Sequence, residues 1–431
     1  MQRVEQHIID KKDTRYAAID TAAYASKNLY NAALYAIRQA FIKDGTYLNY
    51  GVMDTRMQSH EAYKALPSKV AQQVLRLLEK NWTSFFEATK AYKETPSKFK
   101  ARPRLPAYKH KTQGRNVLVY TMQAVSRGKR TLQRRLIVPS GLDIQVKTQQ
   151  DPASVAQVRI VPKHGFYVVE VVYDDEPTQT AVDPAVCAGI DIGMNNLAAL
   201  ASDKPGFIPV IVNGRGIKAT NQFYNKRKAQ LQKSFGKIGT TPRMERMTNK
   251  RNRRIDHDLH TASRFIVELL VSEGIGTLAI GKNDGWKQEA RLGTRTNQHF
   301  VQIPHARFIA MLAYKAEAVG IRVVLTEESY TSKASFLDRD PLPTWKQGKK
   351  EDANFSGKRM MRGLYRAKNG TLINADINGA SNILRKVVPN AFGPKGIEDG
   401  VGHSPVVHPV RIVIPRTNPI TTALSGTVRI R

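Results

Sequence analysis

Two aspartates far apart in the chain have surroundings that suit a metal-binding active site. Asp191 lies in the run CAGIDIGMNNLAALAS and Asp376 in NADINGASNILRKV. The apolar neighbours Ile190 and Ile192 predict a buried strand, Ala188–Ile192, that turns back at Met194-Asn195-Asn196. Asp376 opens a predicted helix, residues 376–388. A strand and a helix start can bring two carboxylates side by side, where they repel unless a cation lies between them. Two divalent ions about 3.5–4 Å apart, held by such carboxylates, are a standard apparatus for cutting phosphodiesters. A carboxylate buried in an apolar strand needs a metal or hydrogen bonds. Gly189 and Gly193 flank Asp191 and leave backbone room for a phosphate. Each aspartate also has a plain structural reading: a turn cap for Asp191 and a helix N-cap for Asp376.

Such a site needs a third acid. The predicted buried strand 277–281 points at the right place but ends on Gly281, which has no side chain to ligate with. Glu327 and Glu328 directly follow the next predicted strand, 321–326, in VVLTEESYTSKAS. If that strand lies beside the one carrying Asp191, a glutamate there reaches the same metals. Glu328 is the preferred candidate and Glu327 the alternative second acid; a solvated strand-end acid is the bland reading. Asp284, in GKNDGWKQ, is a weaker candidate. His257 and His260 lie close to Asp258, where a metal site is conceivable, although a structural histidine in a helix is commoner.

The elements that must position these residues follow from charge and periodicity. Lys and Arg number 68 against 36 acids, a formal charge of +32. That excess makes the compact state repel itself and calls for a polyanionic partner, with counterion release driving the association. The single cysteine, Cys187, excludes an intrachain disulfide and a cysteine-based zinc site. The N-terminus MQRVEQHIIDKK lacks an apolar signal core, and no apolar run approaches the roughly 20 residues of a bilayer span. A soluble, cytoplasmic and nucleoid-associated protein with no membrane partner is expected.

A strand is predicted over residues 1–10, helices over 14–92, and a hairpin from strands 155–161 and 166–173 around Pro162-Lys163-His164-Gly165. Residues 174–184 read as a linker. Three short strands (188–192, 197–202, 207–212) follow. A polar helical region runs from 220 to about 270, with a break near 236–242. Strand 277–281, helix 304–319, strand 321–326 and helix 376–388 complete the series. Three antiparallel strands, then alternating helices and strands, with acids on the first strand and last helix, is a ribonuclease-H-like layout. Two stretches are strongly basic. Residues 93–135 hold 13 Lys or Arg and one acid, with Phe99, Tyr108 and Tyr120 interleaved, and residues 215–254 hold 13 Lys or Arg and one acid. A solvated helix face usually mixes signs, so the second stretch is expected to lie along a nucleic-acid backbone.

The ordered motifs RPRLPAYKHK, GIDIGMNNLAAL, RIDHDLHTASRFIV, ESYTSK and NADINGASNIL resemble the TnpB family, transposon-encoded RNA-guided DNA endonucleases related to type V CRISPR effectors and Fanzor. The resemblance covers nearly the whole chain. It implies an α/β multidomain protein. Residues 1–10 and 111–180 would form a wedge β-barrel and 11–110 a helical recognition domain. Residues 184–330 and 376–390 would form an RNase-H-like RuvC nuclease domain. Residues 331–375 would be a target-nucleic-acid-binding insert, and 391–431 a C-terminal tail.

By the same resemblance, Asp191 and Asp376 take the places of the first and third catalytic acids, both metal ligands. Gly281 occupies the usual place of the second, and Glu328 fits a shifted position. The cofactor implied is Mg2+, two ions. The partners implied are a guide RNA from the transposon end and target double-stranded DNA beside a short adjacent motif. Nucleic-acid contacts are expected from Arg102, Arg104, Tyr108, Lys109, Lys226, Arg227, Lys228, Arg251, Arg253 and Arg254. Where the family carries a zinc-binding Cys-x-x-Cys pair, this chain has Ser335 and Asp338. Its insert is therefore expected to hold together without zinc, through Phe336, Leu337, Leu342, Trp345, Phe355 and Tyr365. Loss of the acid at Gly281 leaves a second reading, an RNA-guided DNA-binding repressor that does not cut. A DNA-strand transferase is the third, because ribonuclease-H-like folds also serve transposases.

Overall fold

A computed structural model describes residues 2–126, 128–235, 239–282, 301–344, 354–392 and 409–414. Asp284 and Trp345 lie outside the described residues. The chain divides into two compact units, Met1–Glu176 and Pro177–Arg431. Among the described residues no helix is long and apolar enough to cross a membrane.

The first unit runs β1 (Gln2–Asp10), α1 (Tyr16–Asp44), α2 (Tyr50–Met57), α3 (Glu61–Lys64), α4 (Ser68–Glu94), β2 (Leu118–Thr121), α5 (Lys129–Gln133), β3 (Leu136–Ile137), β4 (Val146–Lys147), β5 (Val155–Lys163) and β6 (Phe166–Asp174). Its main sheet has four antiparallel strands in the order β1-β6-β5-β2. The β5–β6 hairpin closes on His164-Gly165, with Gly165 at φ +81°, the left-handed region that a tight turn uses. Pro67 stands at the N-cap of α4, in an extended conformation and without a side-chain cap hydrogen bond. Val70, Val74, Leu75, Leu78 and Trp82 recur at helical spacing and form the buried stripe of α4. Trp82 is fully buried, with its ring 5.2 Å from Phe41 and 5.7 Å from both Tyr47 and Phe86.

The second unit runs β7 (Asp183–Asp191), β8 (Asn196–Ser202), β9 (Val210–Asn213), α6 (Arg215–Phe235), α7 (Pro242–Ser272), β10 (Ile275–Gly281), α8 (His305–Glu317), β11 (Arg322–Thr326), β12 (Lys358–Met361), β13 (Leu364–Arg366), β14 (Leu372–Asn374), α9 (Ala375–Val387) and β15 (Val410–Ile412). Its main sheet is mixed, in the order β11-β10-β7-β8-β9-β15. β7, β8 and β9 are antiparallel neighbours; β10 runs parallel to both β7 and β11, and β15 parallel to β9. This partly parallel sheet is consistent with a ribonuclease-H-like fold.

Alternation along the strands divides the core between the two sheet faces. Ile190, Leu200 and Val212 pack with Ile266, Leu270, Phe308 and Leu312 from α7 and α8. On the other face Ala199, Ala201 and Ile211 meet Ile377 and Ala380 of α9, while Cys187 and Ala279 meet Ile383 and Leu384. Small residues on this face let α9 approach closely: a β-carbon added to Gly189 would stand 2.3 Å from the Ala380 carbonyl oxygen.

Candidate active site

The site is built where β7, β10 and β11 end against the first turns of α9. Asp191 is the last residue of β7 rather than its middle, because the chain leaves the ladder there and turns through 192–195. It pairs across to Ala199, whose side chain lies against α9, so Asp191 shares the face that α9 covers. Its Oδ2 nestles over the helix backbone: a β-carbon added to Gly379 would come within 2.6 Å of it. Burial, and then the charge of Asp376, push the Asp191 carboxyl up from 3.8 to about 7. Asp191 as a residue is half-buried, and burial and the neighbouring charge both act in the upward direction.

Asp376 is not the helix cap. Asn374 is, its side chain accepting from the amides of Asp376 (3.0 Å) and Ile377 (3.3 Å). Released from capping, the Asp376 carboxylate accepts from Asn196 Nδ2 at 2.5 Å and lies 3.6 Å from an Arg359 guanidinium nitrogen.

The strand preceding Glu328 does not lie beside β7; β10 stands between them. The Glu328 side chain lies instead beside the end of β10, where it occupies the space that a side chain at 281 would fill. A β-carbon on Gly281 would meet Glu328 Oε1 at 2.6 Å. Burial, then the charges of Asp191 and Glu327, push the Glu328 carboxyl up from 4.5 to about 8. Glu327 goes the other way. Burial alone would raise it, but hydrogen bonds from the Lys386 ammonium and from Ser329 outweigh burial and lower it. Glu327 is thus neutralised by a lysine of α9, while Glu328 shares its surroundings with another acid.

The donor set suits a hard divalent cation: carboxylate oxygens, desolvated and mutually repelling, with no thiolate and no imidazole among them. Among the described residues no group of three or more His, Cys, Asp or Glu side chains is already drawn together tightly enough to hold a metal ion. His257 and Asp258, 3.7 Å apart, likewise belong to no such group.

Beside the carboxylates opens a cavity of about 610 Å³ lined by Asp376, Asn195 and Asn196 and by Arg215, Arg359, Arg362 and Arg411. Sequence reasoning missed Asn196, Arg359 and Arg411. Asn196 carried a visible signal, an asparagine pair directly after Asp191. Arg359 and Arg411 carried none.

The insert has an apolar centre of Phe336, Tyr365, Ile373 and Ala375, with Leu337 against it, while Phe355 stacks 5.9 Å from Tyr330. Its polar centre is Asp340, whose carboxylate accepts from the Ser335 amide (2.7 Å) and from the Ser356 hydroxyl (2.6 Å). Asp338 accepts from the Lys368 amide at 2.9 Å, and Ser335 Oγ accepts from the Asp338 amide at 3.2 Å.

Of the expected nucleic-acid contacts, Arg102, Arg104, Tyr108 and Lys109 are exposed. Their strand of chain is tied along α1 by reciprocal 2.9 Å hydrogen bonds between Asn31 and the Lys109 backbone and by Lys27 Nζ to the Lys111 carbonyl at 2.6 Å. Lys226, Arg227, Arg253 and Arg254 are exposed on α6 and α7, and Lys228 is half-buried. Arg251 is occupied internally: it donates to Asn221 Oδ1 at 2.8 Å and to the Gln302 carbonyl at 3.1 Å, joining α6, α7 and the approach to α8.

A family model described as OrfB_IS605, "Probable transposase", matches residues 167–287, and one described as "Cas12f1-like, TNB domain" matches 305–383. The TnpB-like protein ORF457 of Acidianus two-tailed virus is 22% identical over 410 residues, which cover 84% of this chain and 82% of that one. The CRISPR-associated endodeoxyribonuclease Cas12f2 of Micrarchaeota archaeon is 25% identical over 239 residues, 52% of this chain and 41% of that one. A cryo-EM structure of a Cas12f1-sgRNA-target DNA complex superposes with a TM-score of 0.35 at 14% identity, covering 89% of this chain and 99% of that one. The chain thus spans under half the length of the Micrarchaeota relative and most of the viral one. Homology links this chain to the TnpB and Cas12f family of RNA-guided nucleases.

Proposed function

We propose that this chain is an RNA-guided DNA endonuclease that cuts with a single RuvC-type site made by Asp191, Glu328 and Asp376. The observation that carries this reading is geometric: Asp191 Oδ2 lies over Gly379 on the helix that Asp376 opens, and the Glu328 side chain fills the space beside Gly281 at the end of the neighbouring strand. Burial and the nearby acids push the Asp191 and Glu328 carboxyls upward. A fold spends stability to hold like charges together, and function is the usual reason. Asp191, Glu328 and Asp376 would hold two Mg2+ ions. Bound there, the metal supplies Lewis-acid stabilisation of the phosphodiester oxygens and an ionised water. Asn196 orients Asp376, and Lys386 keeps Glu327 out of the ligand set. The arginines of the neighbouring cavity face a phosphate backbone and neutralise it.

In this reading the four-stranded sheet of the first unit is the wedge domain, and the helices inserted between β1 and β2 form the recognition domain. The exposed basic and aromatic surface of that unit would hold a guide RNA from the transposon end. Base pairing then supplies sequence specificity, and the protein reads only a short motif beside the target.

The test begins with the RNA that co-purifies with the protein. A discrete species with a variable 3′ end is expected, and plasmid carrying the matching sequence should be cut in Mg2+. A random RNA mixture would mark a non-specific polyanion binder. Target binding by the wild type with no cleavage would mark the repressor.

A further inference from the structure

We propose that Arg411, on the C-terminal strand, is a positioning residue of the carboxylate site and acts on Asp376 through Asn196. The proposal deepens the nuclease reading and rests on it for the role of Asp376.

β15 adds to the nuclease sheet outside β9, in parallel, with Val410 opposite Val210, Arg411 opposite Ile211 and Ile412 opposite Val212. The Val410 amide donates to the Pro209 carbonyl at 3.0 Å. Register decides where the arginine goes. Ile211 packs on Ile377 and Ala380 of α9, whereas Val212 belongs to the core on the opposite face. Arg411 therefore emerges on the α9 face, where Asp376 sits, while Ile412 and Ile414 pack into the opposite core and hold the strand down.

From there Arg411 Nη1 donates to Asn196 Oδ1 at 2.9 Å, and Asn196 Nδ2 donates to Asp376 Oδ2 at 2.5 Å. A carboxamide has one accepting and one donating end, and a guanidinium can only donate. Arg411 thus accepts only one orientation of the amide, the one that presents Nδ2 to the carboxylate. The flipped amide would set donor against donor and oxygen against carboxylate. Asp376 favours the same orientation from the donating end, and Arg411 reinforces it by fixing the accepting end. Arg359 approaches the other carboxylate oxygen, so Asp376 is held from one side by Asn196 of β8 and from the other by Arg359 of β12.

The experiment is a double-mutant cycle on the full chain, using Arg411→Met, which keeps the stem, Asn196→Ala and the pair. Single-turnover cleavage of guide-matched plasmid should fall roughly 10–100-fold in each single variant, the usual effect of removing a partner of a metal-binding carboxylate. The double variant should be no slower than Asn196→Ala alone, and Arg411→Lys, which keeps a cationic donor, should recover much of the rate. Mn2+ titrated into protein stripped of nucleic acid, followed by electron paramagnetic resonance, supplies the second readout. Affinity should drop by about the same factor in Arg411→Met and Asn196→Ala. Unchanged cleavage and Mn2+ affinity in Arg411→Met would overturn the proposal, and so would effects that multiply in the double variant. If the wild type cuts nothing but Mn2+ affinity still falls in both single variants, the positioning role stands and the nuclease reading fails.

Discussion

A β-carbon built on Gly281 would stand 2.6 Å from Glu328 Oε1 and 2.7 Å from Ile383 Cδ1. The glycine that leaves β10 without a ligand is therefore the residue that makes room for the acid arriving from beyond β11. Gly281→Ala should displace the Glu328 carboxylate and lower cleavage by at least about tenfold, because small misplacements at a reacting centre are amplified in rate. Target binding at the same salt should stay unchanged. Measuring both separates a displaced ligand from a misfolded chain.

Gly379 bears the same relation to Asp191, with a built β-carbon 2.6 Å from Oδ2. Glycine inside a helix ordinarily costs about 0.5–1 kcal/mol relative to alanine. Gly379→Ala should for that reason be a stabilising change, yet here the methyl group meets a carboxylate wedged between strand and helix. A lower melting temperature and loss of cleavage are expected. A raised melting temperature with normal cleavage would show that Asp191 has space elsewhere.

Metal and pH should act together on stability. Asp191 is raised from 3.8 to about 7 and Glu328 from 4.5 to about 8 when no cation is present. The folded state then binds more protons than the unfolded chain across that interval, so stability falls with rising pH. The contribution is intact below about pH 4 and is lost as pH climbs through 7 to 8. In chelator, Asp191→Asn should melt higher than the wild type at pH 8 and match it near pH 4. Mg2+ should raise the wild-type melting temperature more at pH 8 than at pH 5.5, and should do much less for Asp191→Asn.

Much of this site was legible before the fold was known. The apolar run around Asp191, the helix around Asp376 and the hairpin at His164-Gly165 all obey local periodicities of two or 3.6 residues. The condition set for Glu328, that its strand adjoin β7, is not met, because β10 takes that place; the Glu328 side chain instead fills the space beside Gly281. The reading of Asp376 as a helix cap gave way to Asn374 two residues earlier, a distinction within the usual uncertainty of helix boundaries. β15 was illegible: three residues in a tail have no alternation to read, and their partner strand lies 200 residues earlier. The Asp340 centre was hidden for a related reason, since Ser335 and Ser356 come together only once the insert has folded.

That centre can be tested directly. Asp340 is buried and accepts hydrogen bonds from two serines, and hydrogen bonds to a charged group contribute about 1.5–3 kcal/mol each. Asp340→Ala should destabilise the insert by roughly 3 kcal/mol or more, seen as faster proteolysis within 331–375 under native conditions. A zinc chelator should leave the wild-type digestion pattern unchanged. A chelator-sensitive pattern would mean that a metal, rather than the carboxylate, organises the segment.

The most direct measurement compares guide-matched plasmid cleavage by wild type, Glu328→Gln and Glu327→Gln in Mg2+, with target binding followed in parallel. Glu328→Gln should bind normally and cut below detection, while Glu327→Gln should retain cleavage within about tenfold of wild type. Undiminished cutting by Glu328→Gln would contradict the claim that the displaced glutamate completes the site with Asp191 and Asp376.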